Sequence, residues 1–134
     1  MPKIRHIAYR AEDVEAVAQF FAKGFGMDIV QRRDHGAIDL SDGTLNITVL
    51  PATLPQGEGR PHTGIDHIGF TAEDDAQAQA LVEAAGGKQM NTINLGNEVH
   101  FETKFQGPEG IVVDVGHWPG TAPVAEEAIA SKAR

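Results

Sequence analysis

Apolar and polar positions alternate cleanly from Thr44 to Leu50. Leu45, Ile47 and Val49 fall on one side, and Thr44, Asn46 and Thr48 on the other. That period of two is the signature of a half-buried strand. Lys3 to Tyr9 alternates more loosely and also reads as a strand. The spacing then changes. Val14, Val17, Ala18 and Phe21 recur at helical intervals, with Phe20 widening the apolar face, so Phe20 and Phe21 are both expected in the helix core. Acidic residues in Ala11-Glu12-Asp13 suit the start of this helix, and Gly24 and Gly26 end it. Met27 to Gln31 and Gly36 to Leu40 give two further strands before the turn Ser41-Asp42-Gly43. The order is therefore β-α-β-β-β over residues 3–50.

The same order returns. Residues 51–63 hold three prolines and two glycines and read as a linker. A strand is expected over Ile65 to Thr71, a helix over Asp74 to Ala85 closed by Gly86-Gly87, and strands over Lys88 to Ile93, Glu98 to Phe105 and Ile111 to Val115. Specific residues repeat as well. Ile4-Arg5-His6-Ile7-Ala8-Tyr9-Arg10-Ala11-Glu12-Asp13 is answered 61 positions later by Ile65-Asp66-His67-Ile68-Gly69-Phe70-Thr71-Ala72-Glu73-Asp74. The module ends match at an offset of 68, which pairs Asn46 with Asp114. The chain thus reads as one α+β domain of two paired βαβββ modules, residues 3–50 and 64–118, with a short Ala-rich helical tail over 119–134.

Composition narrows the function classes. A chain of 134 residues suits one domain with a real core. No cysteine is present, which removes disulfides, thiolate nucleophiles and Cys-type zinc sites. The formal charge of −8 argues against nucleic acid and anionic membranes as partners. The absence of a long apolar run and of a signal-like start points to a cytoplasmic location.

Modules of this kind are expected to pair their sheets around a curved, barrel-like cavity, where residues at matching positions converge. His6 and His67 would then face each other, with Asn46 and Asp114 at the other matching positions. Two imidazoles and a carboxylate with open positions form a ligand set for one divalent transition metal: Fe(II), Mn(II), Ni(II), Co(II) or Zn(II). Asn46 could add only a neutral oxygen or a supporting hydrogen bond. A lone histidine in an apolar strand is ordinarily a hydrogen-bonded core residue; two at equivalent places in a repeated module favour ligation.

The motifs Arg5-His6-Ile7, Asp66-His67-Ile68-Gly69, Phe105-Gln106-Gly107-Pro108-Glu109-Gly110 and Val113-Asp114-Val115 resemble those of the vicinal oxygen chelate superfamily. Its members include glyoxalase I, methylmalonyl-CoA epimerase, extradiol dioxygenases and the fosfomycin- and bleomycin-resistance proteins. The resemblance spans residues 3 to about 118. It implies a metal held at His6, His67 and Asp114 and a small-molecule substrate that chelates it through adjacent oxygens. The family usually has Glu where this chain has Asp114, and Asn46 or Thr48 stands at the first-module carboxylate position of glyoxalase I. Two histidines and one carboxylate suit an Fe(II) dioxygenase. An isomerase, epimerase or lyase of the glyoxalase type is the alternative, and a metal-free drug-sequestering protein a further one. A homodimer is expected, as family members commonly dimerise.

His100 and Glu102 share one strand face. On the cavity face Glu102 would serve as general base and His100 as proton shuttle; on the solvent face neither has a special role. Tyr9 would line the pocket or pack in the core. His35 and His62 read as solvated, and Trp118 as a pocket roof or a dimer seam.

Overall fold

The computed structural model describes residues 2–54, 62–97 and 100–116, the side chains of 91–102 excepted. These residues form two α-helices and eight strands, an α+β fold. The first module comprises β1 (Lys3–Ala11), α1 (Val14–Phe25), β2 (Asp28–Arg32), β3 (Ile38–Ser41) and β4 (Asn46–Pro51). The second comprises β5 (Gly64–Thr71), α2 (Asp75–Ala84), β6 (Lys88–Asn97), β7 (His100–Gln106) and β8 (Val112–Gly116). The predicted βαβββ order is present twice. The strands order as β2-β3-β4-β1 in one module and β5-β8-β7-β6 in the other. Among the described residues, one compact unit takes residues 6–66 and the other takes 2–5 and 67–116.

Both helices begin the same way. Asp13 accepts a hydrogen bond from Ala16 N at 2.9 Å, and Asp74 accepts one from Gln77 N at 3.0 Å. Each cap satisfies an amide that the first helical turn leaves open. α1 ends at Gly26, whose φ of 69° is the left-handed conformation that glycine adopts without strain. After α2 the backbone passes so close to the helix that a Cβ on Gly87 would sit 2.6 Å from Val82 Cγ1.

In the first module one sheet face is apolar. Ile38, Leu40 and Val49 pack with Ala18, and Val14, Val17 and Phe21 of α1 cover them. Phe20 corrects the expectation of a paired aromatic core. It is 62% exposed, because consecutive helical positions lie about 100° apart and only Phe21 points at the sheet. Phe20 instead stacks edge-on against Phe21 and Phe25 on the outside of the helix. Glu15 in the first turn pairs with Arg32 of β2, and that hydrogen bond, helped by Gln19, holds its carboxyl down at about 2. In the second module Phe105 and Val115 form the equivalent core with Ala72 and Ala78, joined by Val82 and Val113.

A buried ion pair anchors the start and end of the linker. Arg10 Nε donates to Asp66 Oδ1 at 2.6 Å, with both side chains fully buried. Arg10 Nη1 also donates to the carbonyls of Ala52, at 3.2 Å, and Leu54. His62 Nε2 lies 3.9 Å from the same Asp66 oxygen. His62 is thus two-thirds buried beside a carboxylate, not solvated as its linker position suggested.

Candidate metal-binding residues

The sheet face opposite each helix carries the polar residues. In the first module His6 pairs with Asn46, and Ser41 pairs with Asn46 from the other side. The next row is Ala8, Thr48 and Asp39. Strand alternation places these two rows on the same face. Asp39 is fully buried there. It accepts from Thr48 Oγ1 at 2.7 Å and from Arg33 Nε at 2.7 Å. Thr48 is thereby committed to Asp39. Asn46 is fully buried, and neither its Oδ1 nor its Nδ2 has a hydrogen-bond partner among the described residues. A buried amide left in this state carries a desolvation cost of about 1–3 kcal/mol. That cost is relieved when a ligand or cation supplies the missing contact. His6 is itself buried, at 7% exposed.

In the second module Gly69, Asp114 and Lys104 form the row that matches Ala8, Thr48 and Asp39, so Asp114 answers Thr48 and not Asn46, as the sequence offset of 68 had suggested. His67 precedes Gly69 by two residues and so shares its face. His67 Nε2 lies 3.0 Å from Asp114 Oδ2, and Lys104 Nζ donates to Asp114 Oδ1 at 2.6 Å. Gly69 adds no side chain beside Asp114. The 3.0 Å spacing fits two neighbouring ligands of one cation. Donors bonded at roughly 2.0–2.2 Å and at right angles sit about 3 Å apart. The residues present therefore fit a divalent metal, with His67 Nε2 and Asp114 Oδ2 as two of its donors. Asp114 is 1% exposed, which suits a carboxylate that serves an interior cation better than one facing solvent.

Other predicted residues fall as follows. Tyr9 pairs with Val49 and so lies on the helix-facing side of its sheet, opposite to His6, and is 36% exposed. The backbone of position 102 pairs with Gly116, one row along from Lys104 and Asp114 and on the same face. His100 pairs with Asn97 at the end of the β6–β7 ladder. The side chains of Glu102 and His100, together with Trp118 and the tail, lie outside the described residues. His35 is exposed, and its Nδ1 accepts from Ala37 N at 3.4 Å.

Sequence reasoning missed Lys104 and Asp39. A lysine within a strand reads as solvent-facing, and so does an aspartate between Ile38 and Leu40. One signal could have found Lys104. The turn Gly107-Pro108-Glu109-Gly110 joins two antiparallel strands, and counting outward from it sets Lys104 opposite Asp114.

Comparison with known proteins places this geometry in context. None of the curated proteins matches the chain. Among solved structures, a hypothetical protein from Bacillus halodurans C-125 is 17% identical, with a TM-score of 0.67, covering 89% of this chain and 96% of that one. The 2,3-dioxygenase LapB from Pseudomonas sp. KL28 is 20% identical, with a TM-score of 0.66 over 86% of this chain; only 40% of the dioxygenase is covered. A Streptomyces coelicolor methylmalonyl-CoA epimerase is 15% identical, with a TM-score of 0.63, covering 88% of this chain and 98% of the epimerase. At these identities the likeness is one of fold. The sequence match is broader in kind and spans residues 3–115, nearly the whole of both modules: the chain belongs to the Glyoxalase/Bleomycin resistance protein/Dioxygenase superfamily.

Proposed function

We propose that the chain is a divalent-metal enzyme whose substrate, a small molecule, chelates the metal through two adjacent oxygens. His6, His67 and Asp114 are the proposed ligands, and each offers one donor atom of the kind such a cation takes. The observation that carries the reading is the buried His67–Asp114 pair at ligand spacing. The repeat supports His6 as the third member, because it occupies the first-module position that His67 occupies in the second. A cation held there would supply Lewis acidity or, as Fe(II), redox chemistry. The chain's own residues would orient the substrate and exclude water.

Two neutral imidazoles and one carboxylate leave positions for both substrate oxygens and for dioxygen, so an Fe(II) dioxygenase is the preferred form. The buried amide of Asn46 favours a second form. It would give a neutral donor opposite His6 on β4, which suits an isomerase or epimerase that needs only a Lewis acid and a base. Glu102 is the proposed base there, with His100 as its shuttle; the register that sets position 102 on the Asp114 face supports this. Tyr9, on the helix-facing side, is better suited to packing. The protein is proposed to act in the cytoplasm as a homodimer, and a monomer mass in solution scattering would refute the dimer.

The test begins with metal content of protein purified without chelator. About one divalent ion per chain is expected after incubation with Fe(II), Mn(II), Co(II), Ni(II) or Zn(II), and none in His67→Ala. A wild type that stays metal-free would turn the reading to a drug-sequestering protein of the bleomycin-resistance kind. Oxygen uptake on a catechol with Fe(II) alone would support the dioxygenase. Oxygen-independent proton exchange with Co(II) or Ni(II), lost in Glu102→Gln, would support the isomerase.

A further inference from the structure

We propose that Lys104 is a positioning and specificity-determining residue: it fixes Asp114 as a one-oxygen ligand and directs the centre toward anionic chelating substrates. This rests on the metal reading above. Lys104 is 1% exposed, and its ammonium lies 2.6 Å from Asp114 Oδ1. Burying an ammonium is costly, and a well-packed apolar residue would serve stability as well or better. Its place is also specific. Lys104 stands directly opposite Asp114 in the β7–β8 ladder, on the face that carries His67.

Two consequences follow from that geometry. The ammonium occupies Oδ1 and repels any cation on that side. Only Oδ2, beside His67 Nε2, is left to face a metal. Charge is the second. The proposed donors are two neutral imidazoles and one carboxylate, and Lys104 cancels the carboxylate's charge. A divalent ion would then keep its full double charge toward an incoming ligand. Such a centre binds metal less tightly than a bare carboxylate site, and it binds a doubly anionic oxygen chelator more tightly.

Calorimetric titration of Co(II) into wild type, Lys104→Met and Lys104→Gln tests this. Both variants are expected to bind Co(II) on the order of tenfold more tightly, since a buried positive charge is gone. The Co(II)-loaded variants are expected to bind oxalate on the order of tenfold more weakly than loaded wild type. Lys104→Gln keeps a hydrogen-bond donor for Asp114 and is the variant to rely on if Lys104→Met does not fold. Unchanged or weaker Co(II) binding in a folded variant would overturn the proposal while leaving the metal reading intact. Variants that bind Co(II) when wild type does not would support Lys104 and refute the metal-enzyme reading; no binding in any of them would refute both. The wild type gives a separate readout. With 13C-labelled aspartate, Zn(II) loading should shift one carboxylate to the wide infrared splitting of a one-oxygen ligand. The narrow splitting of two-oxygen chelation would overturn the proposal.

Discussion

The two modules repeat one plan and finish it differently. In the first, the polar row holds His6 and Asn46, and the buried Asn46 amide has no partner among the described residues. In the second, Asp114 and Lys104 form the next row along, level with Gly69, and His67 lies on the same face. The first keeps its buried carboxylate, Asp39, on β3, bonded to Thr48 and Arg33; the second places it on β8 as Asp114, bonded to Lys104 and 3.0 Å from His67. The repeated backbone fixes where side chains can stand, and a single hydroxyl-to-acid difference, Thr48 against Asp114, decides what that place can do. The place that holds the carboxylate beside a histidine carries the functional reading.

Four experiments would break or sharpen that contrast, from the largest expected effect to the smallest. Asp114→Asn removes the charged donor and strands a buried ammonium. Loss of stoichiometric metal is expected, together with destabilisation of about 3–5 kcal/mol, read by metal analysis and denaturant unfolding. Arg10→Met removes a comparably buried cation from Asp66, which adjoins the proposed ligand His67 in sequence but projects from the opposite side of β5. It should cost about 3 kcal/mol or more of stability. Metal stoichiometry in the folded fraction should not change; a loss there would extend the functional region to the linker anchor.

The third experiment adds a carboxylate to the first module. Asn46→Asp places it directly opposite His6 in the β1–β4 pair. Co(II) affinity should rise about tenfold from the added negative charge, and the metal-free protein should lose stability, because the new buried carboxylate has no cation of its own. Asn46→Leu is the control. It should be close to neutral in metal-free stability, since it removes two unsatisfied atoms. If Asn46→Asp leaves metal binding unchanged, Asn46 is remote from the cation.

The fourth concerns charge on the outer surface of the first module alone. Glu15 is held at about 2, below its ordinary 4.5, chiefly by the hydrogen bond from Arg32. A lowered carboxyl stabilises the fold above the unfolded value and loses that contribution as pH falls through the folded one. Arg32→Gln should therefore lower Tm slightly at pH 6, and the gap from wild type should close between about pH 4.5 and 2. Added salt should shrink it too, as both side chains are about half exposed.

Much of this plan was readable from residue order. Alternation located β4, whose Ile47 and Val49 do pack toward the helix. The two Asp caps and the repeated histidines revealed the duplication. Legibility failed where a long-range partner, not a local period, sets the structure. β6 runs to Asn97, beyond the predicted Ile93, because its backbone pairs with β7; Asn94, Gly96 and Asn97 look like loop residues when read alone. Lys104 and Asp39 look solvent-facing until Asp114, Arg33 and Thr48 are brought beside them. The fold was written in periodicity. The polar face was written in pairings across turns, which a reading of local period alone does not make.

The Arg10 anchor carries one more consequence, in chain entropy. A single guanidinium holds the carbonyls of Ala52 and Leu54 at the start of the linker and Asp66 shortly after its end. His62 N also donates to Ala52 O at 3.2 Å, so residues 52 and 62 are already joined. The ends of the intervening segment are therefore held together whatever its length. Doubling such a loop costs only about 0.6 kcal/mol. Insertions between Leu54 and His62 should therefore be among the best tolerated in the protein.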